Sequence, residues 1–210
     1  MALDTETDLS YCLTVTDAET RILDATKVCC ERWGIAKVGV DDIATEAGVS
    51  RATLYRIFPG GREVVFDALR VRELEDFFTR LKAGVDGADT LEDLVVRTVM
   101  VATQELRADQ HLAIMLMSEP GDTLSQLTVQ GLPRIIRMAS LFLAPLVDSH
   151  VGRTEGARLV DLLARLVISY FLAPSEHVDF GDEQSARSFI RTQILPAFQT
   201  SHAVPSGVPS

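Results

Sequence analysis

The residues best able to do chemistry lie in one short stretch, 40–58, which reads VDDIATEAGVSRATLYRIF. Ser50, Arg51, Thr53, Tyr55 and Arg56 crowd together there, and Arg62 follows closely. The set contains no nucleophile with a base and no metal-ligand spacing. It is a set of hydrogen-bond donors and cations, the groups that engage nucleic acid. The guanidinium fork of Arg51 or Arg56 matches the acceptor pair of guanine, and Thr53 offers a base either a hydroxyl or a methyl group. Ser50 and Arg51 stand at the leading end of a helix, where exposed N–H groups also favour phosphate. Tyr55 and Arg62 suit phosphate contacts that fix register without reading sequence.

Two short helices must position these groups. Gly39 serves as N-cap for a helix over Val40–Ala47, with Asp41 and Asp42 in its first turn. Gly48 ends it, Ser50 caps a second helix over Arg51–Phe58, and Pro59-Gly60-Gly61 stops that one. Ile43, Ala44 and Ala47 form an inner face that Val49 and Leu54 cover. A glycine-centred turn between two such helices suits a helix-turn-helix, whose second helix enters the major groove. On pattern alone, an αα-corner carrying surface arginines remains the alternative.

Charge bears on the choice. The chain has 210 residues and a net charge of −10, which by itself disfavours a phosphate binder. The charge is unevenly spread. Residues 49–72 carry five arginines against Glu63 and Asp67, whereas residues 83–210 carry nine bases and fifteen acids. A small cationic head on an acidic body is expected.

The rest of the chain reads as helix, since apolar spacings of three and four recur and alternating β-branched runs are nearly absent. A first helix is expected from a capping box at Thr16-x-x-Glu19 to Trp33, with Gly34 as its stop. A long helix over Arg62–Lys82 precedes a break at Gly84–Asp89. Further helices follow over Thr90–Ala108 and His111–Ser118. Another runs from Thr123 to Val151, with interruptions at Gly131-Leu132-Pro133 and Pro145. Glu155–Leu172 and Asp182–Thr200 complete the set. The expected organisation is an all-α chain with disordered tails at 1–15 and 201–210. Between them lie a helix-turn-helix domain at 16–62 and a larger helical domain at 63–200.

Several classes drop out. No apolar run approaches the ~18 residues of a membrane span, and the acidic N-terminal segment lacks the pattern of a secretory signal. A cytoplasmic protein with no membrane partner is expected. Cys29 and Cys30 are adjacent and read as small buried apolar residues rather than a disulfide framework. HExxH, P-loop, GxSxG and paired CxxC patterns are missing, and His111, His150, His177 and His202 lie on separate segments. No enzyme, metal or cofactor is expected.

The acidic half suggests assembly and ligand binding. In Glu155–Leu172, Asp161, Arg165 and Ser169 form one narrow polar stripe and apolar residues cover the rest. A helix apolar on most sides needs more than its own domain to pack on. Leu159, Leu163, Leu166 and Tyr170, with Ile190, Ile194 and Phe198 of the last helix, are therefore expected at an isologous four-helix homodimer interface. Met100, Met115, Met117 and Met138 cluster in sequence between residues 100 and 138. Met adapts to irregular space, so Met100, Met115, Met138 and Phe142 could line an apolar pocket, with Thr103, Gln104 or His111 as polar contact. A plain Met-rich core is the alternative.

From Thr16 to Leu69 the chain resembles the DNA-binding domain of the TetR family of one-component transcriptional regulators. The resemblance rests on RILDATKVCCERWG and on VDDIATEAGVSRATLYRIFPGGREVVFDAL. It departs from the family at Ile57, where a basic or polar ring residue is common. It departs again at Arg62, which stands four residues after Phe58 where the family has Lys three residues after its Phe. The resemblance implies a homodimer on double-stranded, pseudo-palindromic operator DNA. It also implies an effector site in the helical body, and the Met-rich lining favours a small apolar effector such as a fatty acyl chain, lipid or drug. Repression relieved by that effector is the expected activity. A helical ligand-binding or interaction protein with weak or no DNA binding is the alternative, and Ile57 with Asp41-Asp42 is what speaks for it.

Overall fold

The computed structural model describes residues 5–118 and 120–199. Its elements are α1 (Thr5–Trp33), a 3-10 turn (Ile35–Lys37), α2 (Val40–Glu46), α3 (Arg51–Ile57), α4 (Arg62–Val85) and α5 (Leu91–Ala108). They continue with α6 (Gln110–Ser118), α7 (Pro120–Leu127), α8 (Leu132–Val151), α9 (Arg153–Leu172) and α10 (Glu183–Phe189). A π-helical segment (Ile190–Ile194) and α11 (Pro196–Gln199) close the order. No strand occurs among the described residues. The chain divides into two compact units, Met1–Glu73 with Ile114–Glu119, and Leu74–Ala113 with Pro120–Ser210.

The first unit is built around one small core. Ile22, Cys29 and Cys30 come from α1, Ile43 and Ala44 from α2, and Leu54 from α3, joined by Val65, Phe66 and Leu69 of α4. Fully buried side chains such as Ile43 and Leu54 contribute about 2 kcal/mol each to holding the two short helices. The expected domain border at residue 62 cuts through this core, because Val65, Phe66 and Leu69 belong to it. Gly34 ends α1 at φ 81°, its N–H bonded to the carbonyl of Cys30 at 2.8 Å, as its sequence position predicts. Burial, reinforced by Glu46, pushes the Cys29 thiol up. Trp33, half-exposed at the end of α1, lies under the guanidinium of Arg32 at 5.2 Å.

One boundary differs sharply from expectation. The first helix starts at Thr5, not Thr16, so most of the expected tail at 1–15 is helical. No Pro or Gly interrupts residues 5–33, and a capping-box pattern inside a running helix has no orphan N–H to satisfy. The second expected tail, 201–210, lies outside the described residues.

The second unit has its own larger core. Val95 and Val99 of α5, Leu143 and Val147 of α8, Leu159 and Leu163 of α9, and Ile190 and Ile194 of the π-helical segment all lie within it. Thr90 caps α5 by accepting the Asp93 N–H at 3.1 Å, and Asp182 caps α10 by accepting the Ser185 N–H at 2.8 Å. Pro145 does not interrupt α8, contrary to expectation. It and Leu141 are exposed, where water replaces the forgone backbone bond. Before Pro196 the last helix widens, with the Leu195 N–H donated five residues back to Ile190 O at 2.9 Å. Gly152, at φ 81°, turns the chain from α8 into α9. A side chain at Gly156 would collide with the Asp148 carboxylate, which lies over the start of α9 there.

Candidate nucleic-acid interface

The helix-turn-helix forms as its sequence predicts. The Gly39 N–H donates to Asp42 Oδ2 at 2.8 Å and starts α2, and Gly48 turns the chain at φ 63°. Ser50 Oγ then accepts the Thr53 N–H at 3.0 Å and starts α3. The hydroxyls of Ser50 and Thr53 also meet, 2.9 Å apart. Leu54, wholly buried, anchors α3, which leaves Arg51, Tyr55 and Arg56 on its exposed side. Ile57 packs against the core, so the position where the family often has a polar ring serves packing here.

Tyr55 is held from below. A Cβ on Gly61 would lie 2.7 Å from its ring, and Gly61 itself sits at φ 67°. The doubled glycine after Pro59 therefore does two things: it makes the turn, and it leaves room for the phenol end of Tyr55 against Gly61. Sequence reading took Gly60-Gly61 for a stop signal only.

Arg62 is the clearest correction. It was expected to grip a phosphate, and it faces inward instead. Its Nε donates to Val38 O at 2.8 Å and its Nη2 to Ile35 O at 2.6 Å, while Nη1 reaches Glu63 at 3.0 Å. The guanidinium also stacks on Phe66, 4.5 Å from the ring centroid. Ile35 O lies in the 3-10 turn, where it also accepts the Val38 N–H at 3.3 Å, and Val38 follows that turn directly. The cation therefore caps a turn. The extra residue between Phe58 and Arg62, relative to the family spacing, is consistent with that inward aim.

The local electrostatics differ from a bare cationic head. Arg51 pairs with Asp41 at 3.1 Å, Arg32 with Glu46 at 3.3 Å, and Lys27 with Glu73 at 3.2 Å. Arg70 pairs with Asp67 at 2.6 Å and Arg72 with Asp24 at 2.9 Å. Five arginines were counted as an excess, yet four of them, Arg51, Arg62, Arg70 and Arg72, pair with a carboxylate. The pairing of Arg51 with Asp41 was missed because the two residues lie ten positions apart on different helices.

The expected ligand-binding residues divide. Met100, Met138 and Phe142 pack against the core of the second unit, where Phe142 stacks with Phe78 at 5.8 Å. Thr103 is 3% exposed and its hydroxyl has no hydrogen-bond partner; His111 is buried too. Gln104 is exposed. Met115 falls in the segment Ile114–Glu119, which groups with the first unit, and is not gathered with the others.

The expected dimer set needs correcting more fully. Leu159, Leu163, Ile190, Ile194 and Phe198 are all buried in the core of their own chain and have no surface left for a second copy. Leu166 and Tyr170 are half-buried, and Tyr170 packs on the rings of Phe180 and Phe189. Leu159, Val160, Leu163 and Val167 of α9 are buried in this core, while Leu162, Leu166, Tyr170, Phe171 and Leu172 stay partly exposed, a division that reading one helix at a time could not see.

The profile described as bacterial regulatory proteins, tetR family, matches residues 22–69, which span this helix-turn-helix and its supports. Residues 22–69 are a DNA-binding domain of the TetR family. The chain that carries this TetR-family domain is similar to an uncharacterized HTH-type transcriptional regulator of Mycobacterium tuberculosis, 28% identical over 190 residues. The match covers 87% of this chain and 94% of the relative. Among solved structures it is similar to the TetR family repressor AlkX from Dietzia sp., implicated in biodegradation of n-alkanes. That likeness has a TM-score of 0.62 at 22% identity and covers 86% of this chain and 95% of the other. It is also similar to the fatty acid degradation regulator FadR from Bacillus halodurans, with a TM-score of 0.53 at 18% identity, covering 82% and 93%. At these identities the two structures speak for the fold. The chain with this TetR-family domain is a transcriptional regulator rather than an enzyme. Among the described residues no helix is long and apolar enough to cross a membrane, and no cluster of three metal-ligating side chains occurs.

Proposed function

We propose that this regulator is a cytoplasmic repressor that binds a pseudo-palindromic operator as a homodimer and leaves it when a small apolar effector enters the second unit. The observation that carries the DNA half is α3 itself. A buried Leu54 fixes the helix while Arg51, Thr53, Tyr55 and Arg56 stand toward its outer side. Ser50, Arg51 and Thr53 at its start read bases, and Tyr55 and Arg56 fix register on the backbone. Two such helices, one per subunit, would enter major grooves about 34 Å apart or a little more.

Thr103 supports an effector that brings one hydrogen-bonding group to an otherwise apolar surface. A buried hydroxyl without a partner costs about 1–3 kcal/mol, a cost that a ligand supplying an acceptor would remove. Met100, Met138 and Phe142 pack against the core of the same unit and supply adaptable apolar surface. The neighbours named for alkane and fatty acid metabolism make a long alkyl chain the first class to try. Leu166 and Tyr170 on α9 are what remains of the expected dimer contacts with surface to offer a second copy.

The test is selection of duplexes from a random-sequence pool with the purified full chain, followed by native mass spectrometry of the retained complex. An enriched inverted repeat bound by two or four chains is expected. A pool that yields no enriched sequence overturns the reading in favour of a helical ligand-binding or interaction protein.

A further inference from the structure

The geometry points to Asp41 as a positioning residue that sets sequence specificity through Arg51, by cancelling that cation's pull on any phosphate while leaving it a donor for a base. This rests on α3 being the helix that reads DNA.

Asp41 lies in the first turn of α2 and Arg51 is the first residue of α3. Arg51 Nη1 donates to Asp41 Oδ2 at 3.2 Å, and Nε lies 3.1 Å from Oδ1. Both side chains are mostly exposed, at 62% and 69%, on the outer side of the helix-turn-helix. The Nη2 group of Arg51 makes no contact among the described residues. Asp41 is also spare for this purpose. Its neighbour Asp42 already satisfies the N-terminus of α2 through the Gly39 N–H, and Glu46 on the same helix engages Arg32. Asp41 is the acid of α2 that faces Arg51.

Attraction to the phosphate backbone counts cations and is blind to sequence, whereas a base edge is recognised by donors and acceptors. A guanidinium paired with a carboxylate keeps only the donors the carboxylate does not take, here those of Nη2, and carries no net charge as a pair. Arg51 so paired gains little from an arbitrary duplex. It gains from one that sets a base acceptor against Nη2. Asp41 then lowers non-specific binding more than specific binding.

The experiment compares the wild-type full chain with Asp41→Asn, Arg51→Ala and the double variant. The probes are two duplexes of equal length, one enriched from a random pool by the wild type and one with its sequence shuffled. Affinities are measured across a series of salt concentrations. Asp41→Asn is expected to bind the shuffled duplex several-fold more tightly at low salt. Its log–log salt slope should steepen by about one for each recognition helix engaged, and the preference for the enriched duplex should fall by a similar factor. Asp41→Glu, which keeps the charge, should hold the wild-type slope. In the Arg51→Ala background the effect of Asp41→Asn on the slope should vanish. The proposal is overturned if Asp41→Asn leaves the shuffled affinity and slope unchanged. It is equally overturned if the same gain persists without Arg51, which would mean plain repulsion of phosphate by the carboxylate. If Arg51→Ala alone alters neither affinity nor base preference, the underlying reading of Arg51 as a DNA contact is what fails.

Discussion

Arg62 donates its Nε–H to the carbonyl of Val38 across 2.8 Å, and that bond turns a cation from a DNA contact into part of the fold. With Ile35 O also bound and Phe66 under its plane, the guanidinium joins the start of α4 to the turn between α1 and α2. Replacing it by alanine takes the side-chain donor from the Val38 carbonyl, leaves Ile35 O with the Val38 N–H alone, and removes the stacking. Arg62→Ala should destabilise the first unit by about 2–3 kcal/mol while leaving the salt slope of DNA binding unchanged. Urea unfolding read together with salt-dependent binding checks both halves, and a slope reduced by one with unaltered stability would restore the phosphate role.

Gly61 carries a related expectation. Its φ of 67° and the Tyr55 ring 2.7 Å from a would-be Cβ leave no room for a side chain. Gly61→Ala should cost about 1–2 kcal/mol from backbone strain and displacement of the ring. In the Tyr55→Ala background only the backbone share should remain, so a fully additive double variant in thermal denaturation would contradict the packing described.

Gly156 tests the crossing of α8 and α9. Gly156→Ala drives a methyl into the Asp148 carboxylate and should destabilise the second unit by about 1–3 kcal/mol. Asp148→Ala should recover part of that loss by vacating the space. Equal losses in both backgrounds, measured by urea denaturation, would place the strain elsewhere.

Thr103 gives a prediction of opposite sign. Its buried hydroxyl has no partner, so Thr103→Val keeps the shape and removes the desolvation cost. The variant should be as stable as the parent or more stable by about 1 kcal/mol. A loss above that figure in a denaturant titration would show that the hydroxyl has a partner in solution.

The charge cluster joining α5 to α10 should make stability acid-sensitive. Glu92 is held below its ordinary 4.5, first by the hydrogen bond from Arg191, and Asp93 below its ordinary 3.8, first by that from Arg187. Carboxyls depressed in the folded chain stabilise it above their unfolded values, and that stabilisation is lost as pH falls through the folded values. The melting temperature should therefore be level near neutrality and drop below about pH 4. Arg187→Gln should be less stable at neutral pH and should show a shallower acid drop. An identical acid profile in wild type and variant would refute the linkage.

How much was legible depends on how far apart the interacting residues lie. The caps at Gly39 and Ser50, the stops at Gly34 and Gly48, and the inner face of Ile43, Ala44 and Ala47 follow from neighbours within four positions, and all were readable. The inward turn of Arg62 onto Val38 spans twenty-four positions and the Arg51–Asp41 pair spans ten, so residue type alone could not reveal either. The choice of dimer-contact residues went astray for the same reason. Leu159 and Ile190 are apolar on helices that look overfull in isolation, and only the assembled unit shows where that surplus goes. The start of α1 was misread because a cap pattern indicates where a helix can begin and does not require one to begin there.

The lone tryptophan gives this molecule a convenient optical asymmetry. Trp33 belongs to the first unit, half-exposed and overlaid by the charged plane of Arg32. Indole emission therefore reports from the DNA-reading unit alone, while circular dichroism sums helix over both. A melt followed by the two signals separates the unfolding of the two units without a label, and the gap between the two midpoints measures how independently they hold together.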